Sequence, residues 1–68
     1  MTVIDAGFPI LRAQPYWGDN VLAQMWPGTP VTVSGALMNG TGPEGSFVLY
    51  RYINYEGMWG WADEACLL

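Results

Sequence analysis

At 68 residues the chain is a single domain, small enough to bury only about 60% of its unfolded surface. One cysteine, Cys66, rules out an internal disulfide, and the lack of histidine removes the usual zinc ligand sets. A net charge of −4, with two arginines and no lysine, argues against nucleic acid and against anionic membrane surfaces.

Four Trp, four Tyr and two Phe are more ring surface than so small an interior can take. Some are therefore expected at the surface, where Tyr and Trp favour interfaces. Residues 2–5 show neither a charged n-region nor a long apolar run. No segment approaches the roughly 20 apolar residues of a membrane helix. The lone cysteine fits a reducing compartment, and the expected location is the cytoplasm.

Taken in order, Met1 to Ile4 reads as an edge strand or a loose terminus, and Asp5-Ala6-Gly7 as a turn. Phe8 to Ala13 is a strand candidate with Pro9 near its start, where a strand tolerates proline. Gln14 to Asn20 is a loop of turn formers that carries Tyr16 and Trp17 at its centre. Val21 to Trp26 fits a helical turn or a strand, and Pro27-Gly28 ends it. Thr29 to Gly35 alternates clearly, with Val31 and Val33 on one face. Ala36 to Gly45 reads as a mobile loop with a hairpin-turn signal at Asn39-Gly40. Asn39-Gly40-Thr41 also matches a glycosylation acceptor, read here as chance.

Ser46 to Tyr55 is the longest strand candidate and is apolar or aromatic on both faces. Phe47, Leu49, Arg51 and Ile53 share one face; Val48, Tyr50 and Tyr52 share the other. Gly57-Met58-Trp59-Gly60-Trp61-Ala62 reads as a turn and the last long strand. Gly57 suits a positive φ, and Gly60 admits a close neighbour between the two indoles. Asp63-Glu64-Ala65 reads as one helical turn, and Cys66 to Leu68 as a short closing strand. The class is all-β: a small SH3-like barrel of five to seven short strands over residues 1–68, with Val31, Val33, Leu49 and Trp61 in its core.

Three stretches in sequence carry a resemblance: Leu11-Arg12-Ala13-Gln14-Pro15, Val21 to Met25, and Pro27-Gly28-Thr29-Pro30-Val31-Thr32-Val33. With the ending Gly57-Met58-Trp59-Gly60-Trp61-Ala62 and Cys66-Leu67, the chain resembles the bacterial SH3 (SH3b) family from about Ile10 to Leu67. Phe47 stands where that family often has Trp. Tyr16-Trp17 and Arg51 to Gly57 are also similar to the SH3-like small stromal subunit of photosystem I, a structural accessory subunit whose members are richer in lysine. Both resemblances imply a β-barrel and no chemistry of its own.

The residues themselves point away from catalysis. No histidine or lysine is available as a base. Cys66 has no cation near it in sequence and reads as a buried thiol. Asp63 and Glu64 diverge on a helical turn and read as solvated, too few for a hard-metal site. No cofactor is expected. Arg12 and Arg51 read as surface salt-bridge partners. The candidate partner-binding surface is Tyr16, Trp17 and Trp59, rimmed by Asp19 and Glu56, with the outer face of Val48, Tyr50 and Tyr52 as the second choice. Three roles follow, in this order: a non-catalytic protein-interaction module of bacterial or phage type, an obligate accessory subunit held with a partner or by self-association, and a peptidoglycan-binding module.

Overall fold

Strands form where branched and aromatic residues run between turn formers, and the turns fall at glycine. A computed structural model describes residues 1–5 and 9–68. Its strands are β1 (Ile10–Arg12), β2 (Val21–Gln24), β3 (Thr32–Thr41), β4 (Phe47–Tyr55) and β5 (Met58–Asp63). Short 3-10 turns cover Pro43–Gly45 and Glu64–Cys66. The chain is all-β, and the five strands make one antiparallel sheet in the order β2-β1-β5-β4-β3. The sheet is open: β2 and β3 are its two edges, so it is not closed into the expected barrel. Among the described residues, no helix is long and apolar enough to cross a membrane.

The first residues do more than an edge or a loose terminus would. Thr2 bridges to Pro30 and Val3 to Leu67. The Val3 amide donates to the Thr29 carbonyl, and the Thr2 and Leu68 amides exchange bonds with each other's carbonyls. Met1 to Ile4 thus lie between the 28–31 segment and the C-terminal residues and satisfy the backbone of both. This threading puts Val3 in the core, with Leu11, Met25, Val31, Ile53, Tyr55, Ala62 and Leu67; Ala23 and Val33 pack against it. Tyr55 also receives the Trp26 amide on its hydroxyl at 3.1 Å, which ties the chain after β2 to the end of β4.

The segment read as ambiguous, Val21 to Trp26, is a strand through Gln24. The expected loop from Ala36 is instead strand: β3 runs to Thr41, with Asn39 opposite Leu49 and Gly40 opposite Val48. The chain reverses at Gly42 to Ser46, where Gly45 takes φ +74 and Ser46 donates back to Pro43. Gly40 is glycine for another reason. A Cβ there would collide with the Pro15 carbonyl, so the glycine lets the first loop lie on the strand. Gly57 takes the expected positive φ, +89, in the β4–β5 turn. Gly60 is crossed by Leu11 and the Arg12 carbonyl, as its close-approach reading implied. The turn expected at Asp5-Ala6-Gly7 and the Phe8 start of the first strand fall at residues 6–8, outside the described residues.

Two core assignments change. Leu49 is 36% exposed and Phe47 is 92% exposed. The cause is strand length: β5 ends at Asp63, opposite Tyr50, so Phe47 to Leu49 pair only with β3 and run past the core as a two-stranded ribbon. Trp61 is half-buried, but it lies on the sheet face opposite the core, because its neighbours Gly60 and Ala62 point inward.

Candidate functional site

Pairing register assigns residues to the second face. Arg12 lies opposite Trp61, Trp61 opposite Tyr52, and Asp63 opposite Tyr50. Directly opposed residues share a face, so these five side chains and Trp59 stand together on the side away from the core. Tyr52 organises the aromatic part. It stacks on Trp59 with centroids 5.4 Å apart and planes 17° apart, and it meets Trp61 at 5.0 Å in a tilted geometry. Trp59 remains 45% exposed on this face.

The other end of the face is built around Arg12. The sequence reading made it a surface salt-bridge partner; the side chain is instead buried, at 6% exposure. Its Nη1 donates to the Gly18 carbonyl at 2.9 Å and to Asn20 Oδ1 at 3.0 Å. Its guanidinium carbon sits 5.4 Å from the Trp17 ring centre, a cation–π arrangement. Asn20 in turn donates its side-chain amide to the carbonyls of Gln14 and Tyr16. The Trp17 amide donates to the Thr41 carbonyl, which also receives the Tyr50 hydroxyl at 2.7 Å. The loop from Ala13 to Asn20 is therefore pinned at several points. Tyr16 and Trp17 are held in fixed places while 47% and 56% exposed.

Beneath this loop lies a cleft of about 510 Å³ lined by Ile10, Arg12, Trp17, Val21, Pro43, Val48, Tyr50, Asp63 and Cys66. Burial pushes the Tyr50 hydroxyl above its ordinary pKa; Asp63 adds to the rise and Arg12 opposes it. Burial also pushes the Cys66 thiol up, with Asp63 adding to it. The thiol is thus held protonated, the form that is a poor nucleophile and metal ligand. Arg51 pairs with Glu64 at 3.0 Å, as a salt-bridge partner should. Asp63 Oδ1 accepts the Ala65 amide and caps the turn that Glu64 begins. Among the described residues, no three His, Cys, Asp or Glu side chains cluster as a metal site.

Of the five sequence-derived site residues, Tyr16, Trp17 and Asp19 lie on the pinned loop, Trp59 on β5, and Glu56 at the β4–β5 turn with φ +47. Trp17 and Trp59 belong to the same side of the sheet, with Trp61 and Tyr52 between them. Asp19 and Glu56 are exposed, at separate turns. The second-choice surface is largely covered: Tyr50 is 2% exposed and Tyr52 is stacked under Trp59. Sequence reasoning put Tyr50 and Tyr52 on an outer face, though as an alternative to the Trp59 surface and not part of it, and it missed Arg12. Tyr52 was within reach, because a turn at Glu56-Gly57 sets Tyr52 opposite Trp61. Arg12 carried no such signal, since its partners come from a loop of irregular backbone.

Compared with protein-family models, with curated proteins and with solved structures, the chain has no match.

Proposed function

We propose that the chain is a non-catalytic, SH3-like protein-interaction module that docks through its aromatic face. The observation that carries the reading is the run of indoles on the side away from the core: Trp59 on Tyr52, and Trp17 over Arg12, each about half exposed. Rings held by stacking and by a pinned loop lose little freedom on binding, so their burial by a partner is little offset by ordering. Tyr16, Trp17 and Trp59 are the contact, with Asp19 and Glu56 as its acidic rim. The non-catalytic part rests on a protonated, buried Cys66 and on the lack of any histidine or lysine base. The resemblance to SH3b domains of bacteria and phages agrees with this role. A buried free thiol agrees with a cytoplasmic setting.

The test is Trp17→Ala and Trp59→Ala, each first checked for parental folding. Loss of association with a protein partner, or with itself, is expected from both. Parental affinity in both variants overturns the assignment of this face.

A second reading, an obligate accessory subunit, draws on a different place. β3 is an edge strand of ten residues, Thr32–Thr41, with no charged side chain and with Leu37 and Met38 about half exposed. Long uncharged edges invite strand addition. The bulge between Val33 and Leu37, with Gly35 at φ +92, interrupts the first half of that edge, and the first loop covers its end at Thr41, which leaves Leu37 to Gly40 as the free stretch. Size-exclusion chromatography with light scattering separates the two readings. A stable monomer supports transient docking; an oligomer supports the subunit. A cell-wall pull-down decides the third-ranked role, peptidoglycan binding.

A further inference from the structure

We propose that the cleft beside Arg12 binds a small monocarboxylate with an aromatic or branched aliphatic body. The cleft shares Trp17 with the proposed docking surface, but the inference rests on Arg12 and the apolar walls and not on that reading. Its volume, about 510 Å³, lies within the roughly 300–1,000 Å³ of small-molecule sites. Val21, Val48, Ile10 and Pro43 give it apolar walls, and Trp17 stands at its loop side.

The polar element is Arg12. A guanidinium has five N–H donors in a planar fork that matches a carboxylate in bidentate fashion. Among the described residues only Nη1 is engaged, and its two acceptors are a carbonyl and a side-chain amide, both neutral. The ion pair among the described residues is formed by the other arginine, Arg51 with Glu64. Residues 6–8 add no acid, being Ala, Gly and Phe. A cation with 6% exposure and, among the described residues, no carboxylate within ion-pair distance favours an arriving anion.

Asp63 sets the charge of the ligand. It lines the same cleft, and its field reaches Tyr50 and Cys66. One carboxylate on the Arg12 fork is accommodated, whereas a dianion would face Asp63. The apolar walls then select the body of the ligand, as they would not for a bare inorganic ion.

The experiment is a titration of the full chain followed by NMR, read at the Arg12 Nε–H and the Trp17 indole N–H. The probes are phenylacetate, its neutral analogue phenylacetamide, and inorganic phosphate. Saturable shifts at both groups are expected with phenylacetate, and affinity about tenfold or more weaker with the amide and with phosphate, the scale of a charge-assisted pair. Equal binding of the amide, equal binding of phosphate, or no saturable shift overturns the proposal. Arg12→Gln, if it keeps the parental spectrum, is expected to bind phenylacetate no better than the amide; retained preference overturns the role of Arg12. Because that variant removes the loop's anchor, Val21→Trp gives an independent check. Val21 is 55% exposed, so a larger side chain is carried there without a core clash, and it fills the cleft. Loss of the phenylacetate shift supports the site, and unchanged affinity overturns it.

Discussion

The two faces of β5 use opposite residues for opposite tasks. Inward, the strand offers Gly60 and Ala62, the smallest side chains available, both buried. Outward, it offers Trp59 and Trp61, the largest, both partly exposed. The large rings are not the core because β1 passes too close on the inner side. Leu11 and the Arg12 carbonyl occupy the space that a side chain at 60 would need. Core volume comes from Leu11, Met25, Ile53 and Tyr55 on other segments. On β5, ring size marks the face that has room, and glycine marks the place where β1 approaches.

That contrast is broken most readily at the inner face. Ile53→Ala removes a fully buried side chain from the centre of the core. Such truncations cost about 2–5 kcal/mol, comparable with the roughly 5 kcal/mol that holds a marginal domain together. Urea unfolding is expected to show most of the stability gone. A loss below about 1 kcal/mol would mean that Ile53 is not central to the core. Gly60→Ala comes next. Its new Cβ would lie 2.8 Å from the Arg12 carbonyl oxygen and 2.9 Å from Leu11 Cγ. The Leu11 side chain can shift, but the backbone carbonyl is held by the sheet, so a loss of about 1–3 kcal/mol is expected. A neutral result would show that β1 and β5 are not in this close contact.

Much of this was legible in the sequence. The all-β class, the positive φ at Gly57 and the close approach at Gly60 followed from residue type. So did the shared face of Trp59 and Trp61. What alternation leaves open is which face looks inward: period two fixes parity and not sign. Alternation and the SH3b resemblance put Trp61 inside, and the buried Gly60 and Ala62 reverse that choice. Asn39-Gly40 looked like the hairpin turn because the pair so often is one. Gly42-Pro43-Glu44-Gly45 makes the turn instead, and Gly40 serves the loop at Pro15. Leu49 could not be judged without knowing that β5 stops short of it. The two arginines are alike in composition, yet one pairs with Glu64 and the other anchors a loop, a difference written only in tertiary contact.

The outer face should respond weakly. Trp59→Ala removes a stacking partner from Tyr52 at a position 45% exposed, and aromatic pairs are worth about 0.5–1.5 kcal/mol beyond their area burial. A stability loss of about 1 kcal/mol is expected, less than for Ile53→Ala although the side chain removed is larger. Equal losses would erase the distinction between the two faces. The same variant then reports on docking free of a folding defect.

The smallest effect is absent at neutral pH. Cys66 and Tyr50 are both acids whose pKa is raised by burial, with Asp63 adding to each. Their neutral forms are therefore favoured in the fold. For such a group, stability is fully present below the unfolded pKa and is lost as pH rises through the folded one. Cys66 acts first, because an ordinary thiol titrates at about pH 8.5 and tyrosine at about 10. The melting temperature is expected to hold near neutrality and to fall across roughly pH 8 to 10, the span of the ordinary thiol and phenol values. In Cys66→Ala the fall should begin later, whatever constant loss the missing thiol causes at neutral pH. Parallel curves for parent and variant would remove Cys66 as the source. A melting temperature that rises with pH in this range would contradict a buried thiol beside Asp63.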